Sequence, residues 1–178
     1  MSKGSPDALE RARRVHLMAF DVDGVLTDGR LWYGPQGETL KAFSARDGLG
    51  MRMLADAGVS LALLTSRQSE AVALRAAELG IAHVLQGSQD KQARFDSLLA
   101  QLGLDLARAG YMGDDLVDLP VLRRCGFACA PPGAPDLVQQ HAHYVAGAPA
   151  GAGAVREVCE FVLRAQGKLE GALAAYLA

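Results

Sequence analysis

The amino-acid sequence predicts an α/β protein built on a Rossmann-like parallel sheet with helices on both faces. Two observations carry this. Short apolar, β-leaning runs, among them residues 15–20, 59–64 and 109–112, alternate with segments of helical period, the pattern of βαβ units. These runs end in small polar or acidic residues, Asp21 and Asp23, Thr65, and Asp114, and ligands of open parallel sheets bind at such carboxyl ends. The chain of 178 residues reads as one domain, long enough for a full core.

Composition narrows the class. Hydrophobic residues make up 50% and charged residues 21% of the chain, as in soluble globular proteins. A formal net charge of −2 argues against a nucleic-acid partner, and 6% aromatics leave little for base stacking. Cys125, Cys129 and Cys159 are odd in number and not spaced as metal-binding pairs, so a reducing cytoplasm is expected. No N-terminal apolar segment reads as a signal peptide. Residues 137–155 carry no charge, but Gln139, Gln140, His141, His143 and Pro149 make them a poor membrane span.

The elements come in order along the chain. Ser5 caps a short helix running to about Arg14, with Pro6 in its first turn. The first strand, 15–20, leads to Asp21-Val22-Asp23-Gly24. Residues i and i+2 of a strand share a side, so both carboxylates can converge and call for a hard cation such as Mg2+; an acidic turn is the alternative. Residues 29–45 read as a β-hairpin around Gly34-Pro35-Gln36-Gly37. Its Trp32, Tyr33 and Phe43, if exposed, form an apolar patch suited to a subunit interface.

Ser44-Ala45-Arg46-Asp47-Gly48 opens the next helix with Asp47 as N-cap, Met51, Leu54 and Ala55 on its buried face, and Gly58 at its end. Strand 59–64 ends in Thr65-Ser66-Arg67; the start of the following helix, 68–79, would aim free amides at a phosphate, or Thr65 and Ser66 would cap it. Arg67 and Arg75 lie nearly on one face and could grip an anion, or stay solvated like Arg46 and Arg52. Residues 83–87 form a short strand, and Lys91 stands at the start of the next helix, a placement that opposes the helix dipole. Strand 109–112 ends in Gly113-Asp114-Asp115, with Asp118 close behind. A strand at 127–129, a helix at 136–141 and a strand at 144–145 come next. His141 and His143 lack a partner spaced for a metal. The Gly-rich stretch 147–153 lacks a nucleotide fingerprint. A last helix buries Val155, Val158 and Val162. In the tail, 164–178, Gly167 should end that helix and free the residues beyond it.

Taken together, these stretches resemble the motifs of the haloacid dehalogenase (HAD) superfamily, most of whose members are phosphatases. Asp21 to Thr27 resembles the first motif, Thr65 the second, Lys91 the third and Gly113-Asp114-Asp115 the fourth. The resemblance implies that Asp21 attacks phosphorus and becomes an aspartyl phosphate, and that Asp23 is the general acid/base. Thr65 and Lys91 would hold the phosphoryl group. Mg2+ would be bound by Asp21, the Asp23 carbonyl and Asp114. Asp115 would bond the cation's waters or cap a helix, and Asp118 would pair with Lys91. Residues 29–45 are too short for a cap domain, so the chain resembles the capless branch with the hairpin as a flap. More narrowly, Asp21 to Gly29, the flap, residues 43–50 and Gln166-Gly167-Lys168 resemble the family of 3-deoxy-D-manno-octulosonate 8-phosphate phosphatases of lipopolysaccharide synthesis. That family is tetrameric and Mg2+-dependent. The resemblance implies substrate contacts from Asp23, Ser44, Ala45, Arg46, Asp47, Gly48, Arg52, Arg67, Arg75 and Lys91, with the tail and Lys168 covering a site, that of a neighbouring subunit. Two alternatives are a phosphatase of a nonulosonate 9-phosphate and a non-catalytic regulatory module.

Overall fold

The computed structural model describes residues 6–177; the expected Ser5 cap lies outside them. The chain runs through α1 (Pro6–Arg13), β1 (Leu17–Phe20), a hairpin of β2 (Trp32–Gly34) and β3 (Gly37–Leu40), α2 (Ala45–Asp56), β4 (Ser60–Leu64), α3 (Glu70–Leu79) and β5 (His83–Leu85). It continues through α4 (Lys91–Leu102), β6 (Ala109–Met112), α5 (Leu119–Leu122), β7 (Phe127–Ala130), α6 (Asp136–Gln140), β8 (Tyr144–Val145), α7 (Ala154–Ala165) and α8 (Leu169–Ala174). Six strands form one sheet in the order β5-β4-β1-β6-β7-β8, with every pairing parallel. The hairpin stands apart as a two-stranded antiparallel ribbon.

Strand alternation explains the layers. Leu17 and Ala19 of β1 face one side, where they join Phe95, Leu98 and Leu99 of α4 and Val121 of α5. Met18 and Phe20 face the other, where they join Met51 and Leu54 of α2, Val72 of α3 and Val158 and Val162 of α7. A strand buried on both faces needs apolar residues at every position, and β1 is Leu-Met-Ala-Phe throughout.

The chain leaves β1 toward β4 and β5, then returns to β6 on the other side of β1. The two directions of winding part between β1 and β6, and the crevice there is where open α/β sheets bind ligands. Phe20 is level with Leu63 of β4 and Met112 of β6, so the loops that leave all three strands open at one height.

Four expectations need correction. The N-cap of α2 is Ser44, whose Oγ accepts from Asp47 N at 3.3 Å. Asp47 lies inside that helix, fully buried, and its carboxylate accepts from Gly153 N (3.3 Å) and Arg156 N (2.8 Å) at the start of α7. It caps a helix distant in sequence, because Gly153 has no side chain to do so. Second, α3 starts at Glu70 rather than 68, because Thr65 Oγ1 accepts from Arg67 N and folds the intervening residues into a turn. The amide of Ser69 is taken by Gln86 Oε1 at 2.7 Å, so it is not free for a phosphate. Third, Phe43 packs against the core; the exposed apolar residues of the hairpin region are Leu31, Trp32 (55%), Tyr33 (64%) and Leu40 (66%). Fourth, Gly167 does end α7, with φ at 69°, but the tail folds back as α8, whose Leu169, Ala172 and Leu173 pack on the core. Lys168 Nζ donates to Ala57 O at the end of α2, at the amino ends of the strands and away from this chain's own crevice.

Asp47→Ala is expected to destabilise the protein by about 1–2 kcal/mol, since it strips the cap from α7 and leaves its amides without a partner. A shift of the urea midpoint at constant slope would measure it; an unchanged midpoint would show that α7 does not depend on this cap.

Candidate active site

β1 stops at Phe20, so Asp21 and Asp23 do not share one face of a strand as expected. The chain turns instead: Val22 O accepts from Val25, Leu26 and Thr27 N, and Thr27 Oγ1 accepts from Gly24 N and Gly29 N. This turn carries Asp23 round to the same cleft as Asp21. The cleft holds about 340 Å³, and Asp21, Asp23, Thr65, Arg67, Lys91 and Asp114 line it.

Its floor is a buried ammonium between two carboxylates. Lys91 begins α4, where Asp90 supplies the cap by accepting from Ala93 N. Its Nζ donates to Asp21 Oδ2 and to Asp118 Oδ1, each at 2.6 Å. The helix dipole disfavours a cation here; two carboxylates at hydrogen-bond distance outweigh it. Asp118 has no exposed surface. Its Oδ1 also accepts from Tyr111 Oη (2.6 Å), and its Oδ2 accepts from the amides of Asp114 (3.0 Å) and Asp115 (3.1 Å). Both of its oxygens are thus occupied, and the loop after β6 is fixed to them.

Asp114 is placed by that loop. One oxygen each from Asp21, Asp114 and Asp118 lie within 4.8 Å of one another. Burial, and then the charge of Asp21, push the Asp114 carboxyl up to about 7. Burial and Asp118 also push Asp21 upward, against Lys91. Gly24 sits at φ 79°, and a Cβ there would collide with Asp114 Oδ2; only glycine admits that approach. Asp115 caps the short 3-10 turn beyond it, accepting from Leu116 N at 2.7 Å.

The roof is the hairpin. Lys41, just after β3, donates to Asp23 Oδ1 and lies 2.8 Å from Glu38 Oε1. Arg67 donates to Glu38 Oε2 (3.0 Å) and to Tyr33 Oη (2.6 Å), and its Nε stands 3.9 Å from Asp23 Oδ2. Sequence reasoning missed Lys41, Glu38, Tyr33 and Tyr111. Each sits in or beside a strand-like run with no motif of its own, and the contacts of Lys41 with Asp23, Glu38 with Arg67 and Tyr33 with Arg67 join residues well apart along the chain.

Other expected substrate contacts lie elsewhere. Ser44, Ala45, Arg46, Asp47, Gly48, Arg52 and Arg75 do not line this cleft. Arg75 donates to Ser44 O (3.1 Å) and Glu78 (2.8 Å), in space left by Gly48. Arg52 donates to Glu78 O at 3.0 Å. Ala45 and Arg46 are exposed.

No protein-family model matches the chain. Among curated proteins, it is 45% identical over 166 residues to the 3-deoxy-D-manno-octulosonate 8-phosphate phosphatase KdsC of Yersinia pestis, a match spanning 93% of this chain and 89% of that protein. The KdsC of Escherichia coli strain K12 is 42% identical over 168 residues, spanning 94% and 89%. Among solved structures, the 3-deoxy-D-manno-octulosonate 8-phosphate phosphatase of Moraxella catarrhalis, in complex with magnesium ion, phosphate ion and KDO molecule, superposes with a TM-score of 0.93. It is 39% identical, and the match covers 96% of this chain and 98% of that one. With the four motifs meeting at one crevice, these likenesses show that the chain belongs to the 3-deoxy-D-manno-octulosonate 8-phosphate phosphatase family of the HAD superfamily.

Proposed function

We propose that this chain is a Mg2+-dependent phosphatase that hydrolyses 3-deoxy-D-manno-octulosonate 8-phosphate to 3-deoxy-D-manno-octulosonate and phosphate, in lipopolysaccharide synthesis. The observation that carries this is the convergence of Asp21, Asp23, Thr65, Lys91 and Asp114 on one cleft at the β1/β6 crevice. Asp21 and Asp114 suit a hard cation: their carboxylates are crowded, partly desolvated and raised in pKa. Asp118 has no exposed surface and takes hydrogen bonds from Lys91, Tyr111 and two amides, which suits it to support the loop, and Asp21, the Asp23 carbonyl and Asp114 would hold the Mg2+. Once bound, it would neutralise phosphoryl charge and lower the repulsion met by the attacking carboxylate.

In the first half-reaction an oxygen of Asp21 bonds to phosphorus as the bond to the sugar oxygen breaks. Asp23 gives that oxygen its proton. In the second half, Asp23 takes a proton from water as the water oxygen attacks phosphorus, which releases phosphate and restores the Asp21 carboxylate. Lys91 and the Thr65 hydroxyl bind the phosphoryl oxygens, and Arg67 suits the anionic sugar acid. Residues 44–48, Arg52 and Arg75 lie outside this cleft, so their part in binding is proposed for the cleft of a neighbouring copy, as is that of Lys168 and the tail. A homotetramer would supply such copies, and the exposed apolar hairpin supports an interface. The free, buried thiols of Cys125, Cys129 and Cys159 accord with a reducing cytoplasm.

Asp21→Asn should abolish phosphate release from 3-deoxy-D-manno-octulosonate 8-phosphate while the folded far-UV spectrum is kept, because an amide cannot form the acyl phosphate. Surviving turnover in a clean preparation would sink the reading. The parent enzyme should prefer this substrate to a nonulosonate 9-phosphate assayed beside it.

The metal-free protein should lose stability as pH rises between the ordinary carboxylate value of 3.8 and about 7. A carboxyl raised on folding binds more protons folded than unfolded in that window, so deprotonation disfavours the fold. Mg2+ should restore stability at the upper end. Asp114→Asn should reduce the pH slope, to which Asp21 also contributes, and remove the Mg2+ effect, while Asp115→Asn should leave both; urea midpoints across the window decide it, and equal effects would misplace the ligand.

Light scattering should give a mass near four chains, and Trp32→Glu with Leu40→Lys should reduce it. A monomer in the parent protein would remove the proposed neighbour's role.

A further inference from the structure

Lys41 is an unusual lysine. It comes just after a hairpin strand whose neighbours are largely exposed, where a lysine ordinarily keeps its ammonium in water. Here the side chain is 1% exposed. It turns inward to reach Asp23 Oδ1, with Glu38 Oε1 at 2.8 Å as its second carboxylate. Glu38 in turn holds Arg67, and Arg67 holds Tyr33. Tyr33, Glu38 and Lys41 of the flap thus join, with Arg67, in one network that ends on the cleft residue Asp23.

The two oxygens of Asp23 are treated differently. Oδ1 is held by Lys41. Oδ2 is buried and has no hydrogen-bond partner among the described residues; Arg67 Nε stands off at 3.9 Å. A buried carboxylate oxygen without a partner is costly, so among the described residues this carboxyl is anchored by hydrogen bonding through one oxygen only.

We propose that Lys41 is a positioning residue for the acid/base: it fixes Asp23 through Oδ1 and so sets the place from which its carboxyl exchanges the proton with the leaving oxygen and then with water. This rests on the reading of Asp23 as general acid/base. The flap then acts on the chemistry as well as covering it. The proton balance is that of the two half-reactions above; Lys41 keeps its own protons throughout.

The test compares kcat/KM for phenyl phosphate and p-nitrophenyl phosphate, which are close in size and differ in how much the departing oxygen needs a proton. kcat/KM reads the first half-reaction, where Asp23 acts as the acid. Lys41→Met should lower kcat/KM by about tenfold or more on phenyl phosphate and by less than about threefold on p-nitrophenyl phosphate, because a misplaced acid hurts only the poor leaving group. A flap that merely loosened would cost both substrates alike. Lys41→Arg keeps the charge but cannot set one oxygen at the same point; it should show a smaller loss with the same bias, and serves if the methionine variant does not fold. Equal losses on both substrates, or no loss on either, overturn the proposal. Asp21→Asn, run alongside, separates the two readings: activity surviving that change overturns the phosphatase itself, whereas a dead Asp21→Asn with an unbiased Lys41→Met overturns only the role of Lys41.

Discussion

Lys91 between Asp21 and Asp118 is the interaction on which the rest depends. An ammonium and two carboxylates removed from water are stable only as a set, and loss of one member leaves an uncompensated buried charge. The three residues come from the end of β1, the start of α4 and the loop after β6. Their pairing ties together the two halves of the sheet at the point where the winding reverses. It also decides where everything else can go. Asp118, saturated by Lys91, Tyr111 and two amides, orients the loop that presents Asp114.

The charge is layered from this floor outward. Lys91 cannot balance Asp21, Asp118 and Asp114 together; burial, and then the neighbouring carboxylates, raise the carboxyl pKa values of Asp21 and Asp114. Farther out, Lys41 and Arg67 meet Asp23 and Glu38 in a second, locally balanced cluster. The inner cluster sets one ammonium against three carboxylates, whereas the outer one is balanced, and this difference underlies the separate tasks proposed for them.

A capless cleft leaves its charges near water, which weakens them. The hairpin answers this in a limited way. It is too short to enclose a sugar, but it buries the Lys41 side chain and shields one carboxylate oxygen of Asp23. Its outer side stays apolar and exposed at Trp32, Tyr33 and Leu40. Behind the cleft, the Asp47 cap fastens α2 to α7, which gives the loop between the hairpin and α2 a rigid footing.

The order of strands and helices, the parallel sheet and the residues at the strand ends were legible in the sequence, because apolar runs and polar stops are local patterns with local physical causes. Asp21, Thr65, Lys91 and Asp114 each end a strand or start a helix, positions that meet in such a sheet, but each has a bland local reading, and it was their order as motifs resembling those of the HAD superfamily that picked them out. Tertiary structure alone decided the partners. Asp47 reads as a cap for its own helix, yet it caps α7, since its side chain faces a helix start that folding delivers more than a hundred residues later. Lys41 reads as one more polar residue of a hairpin, and nothing nearby in sequence shows that its ammonium lands on Asp23. The tail reads as a loose end after Gly167, but three apolar side chains of α8 find the core. Propensity and period act over a few residues, whereas buried charges and caps are satisfied by whatever the fold brings within about 3 Å; the first can be read along the chain, and the second only across it.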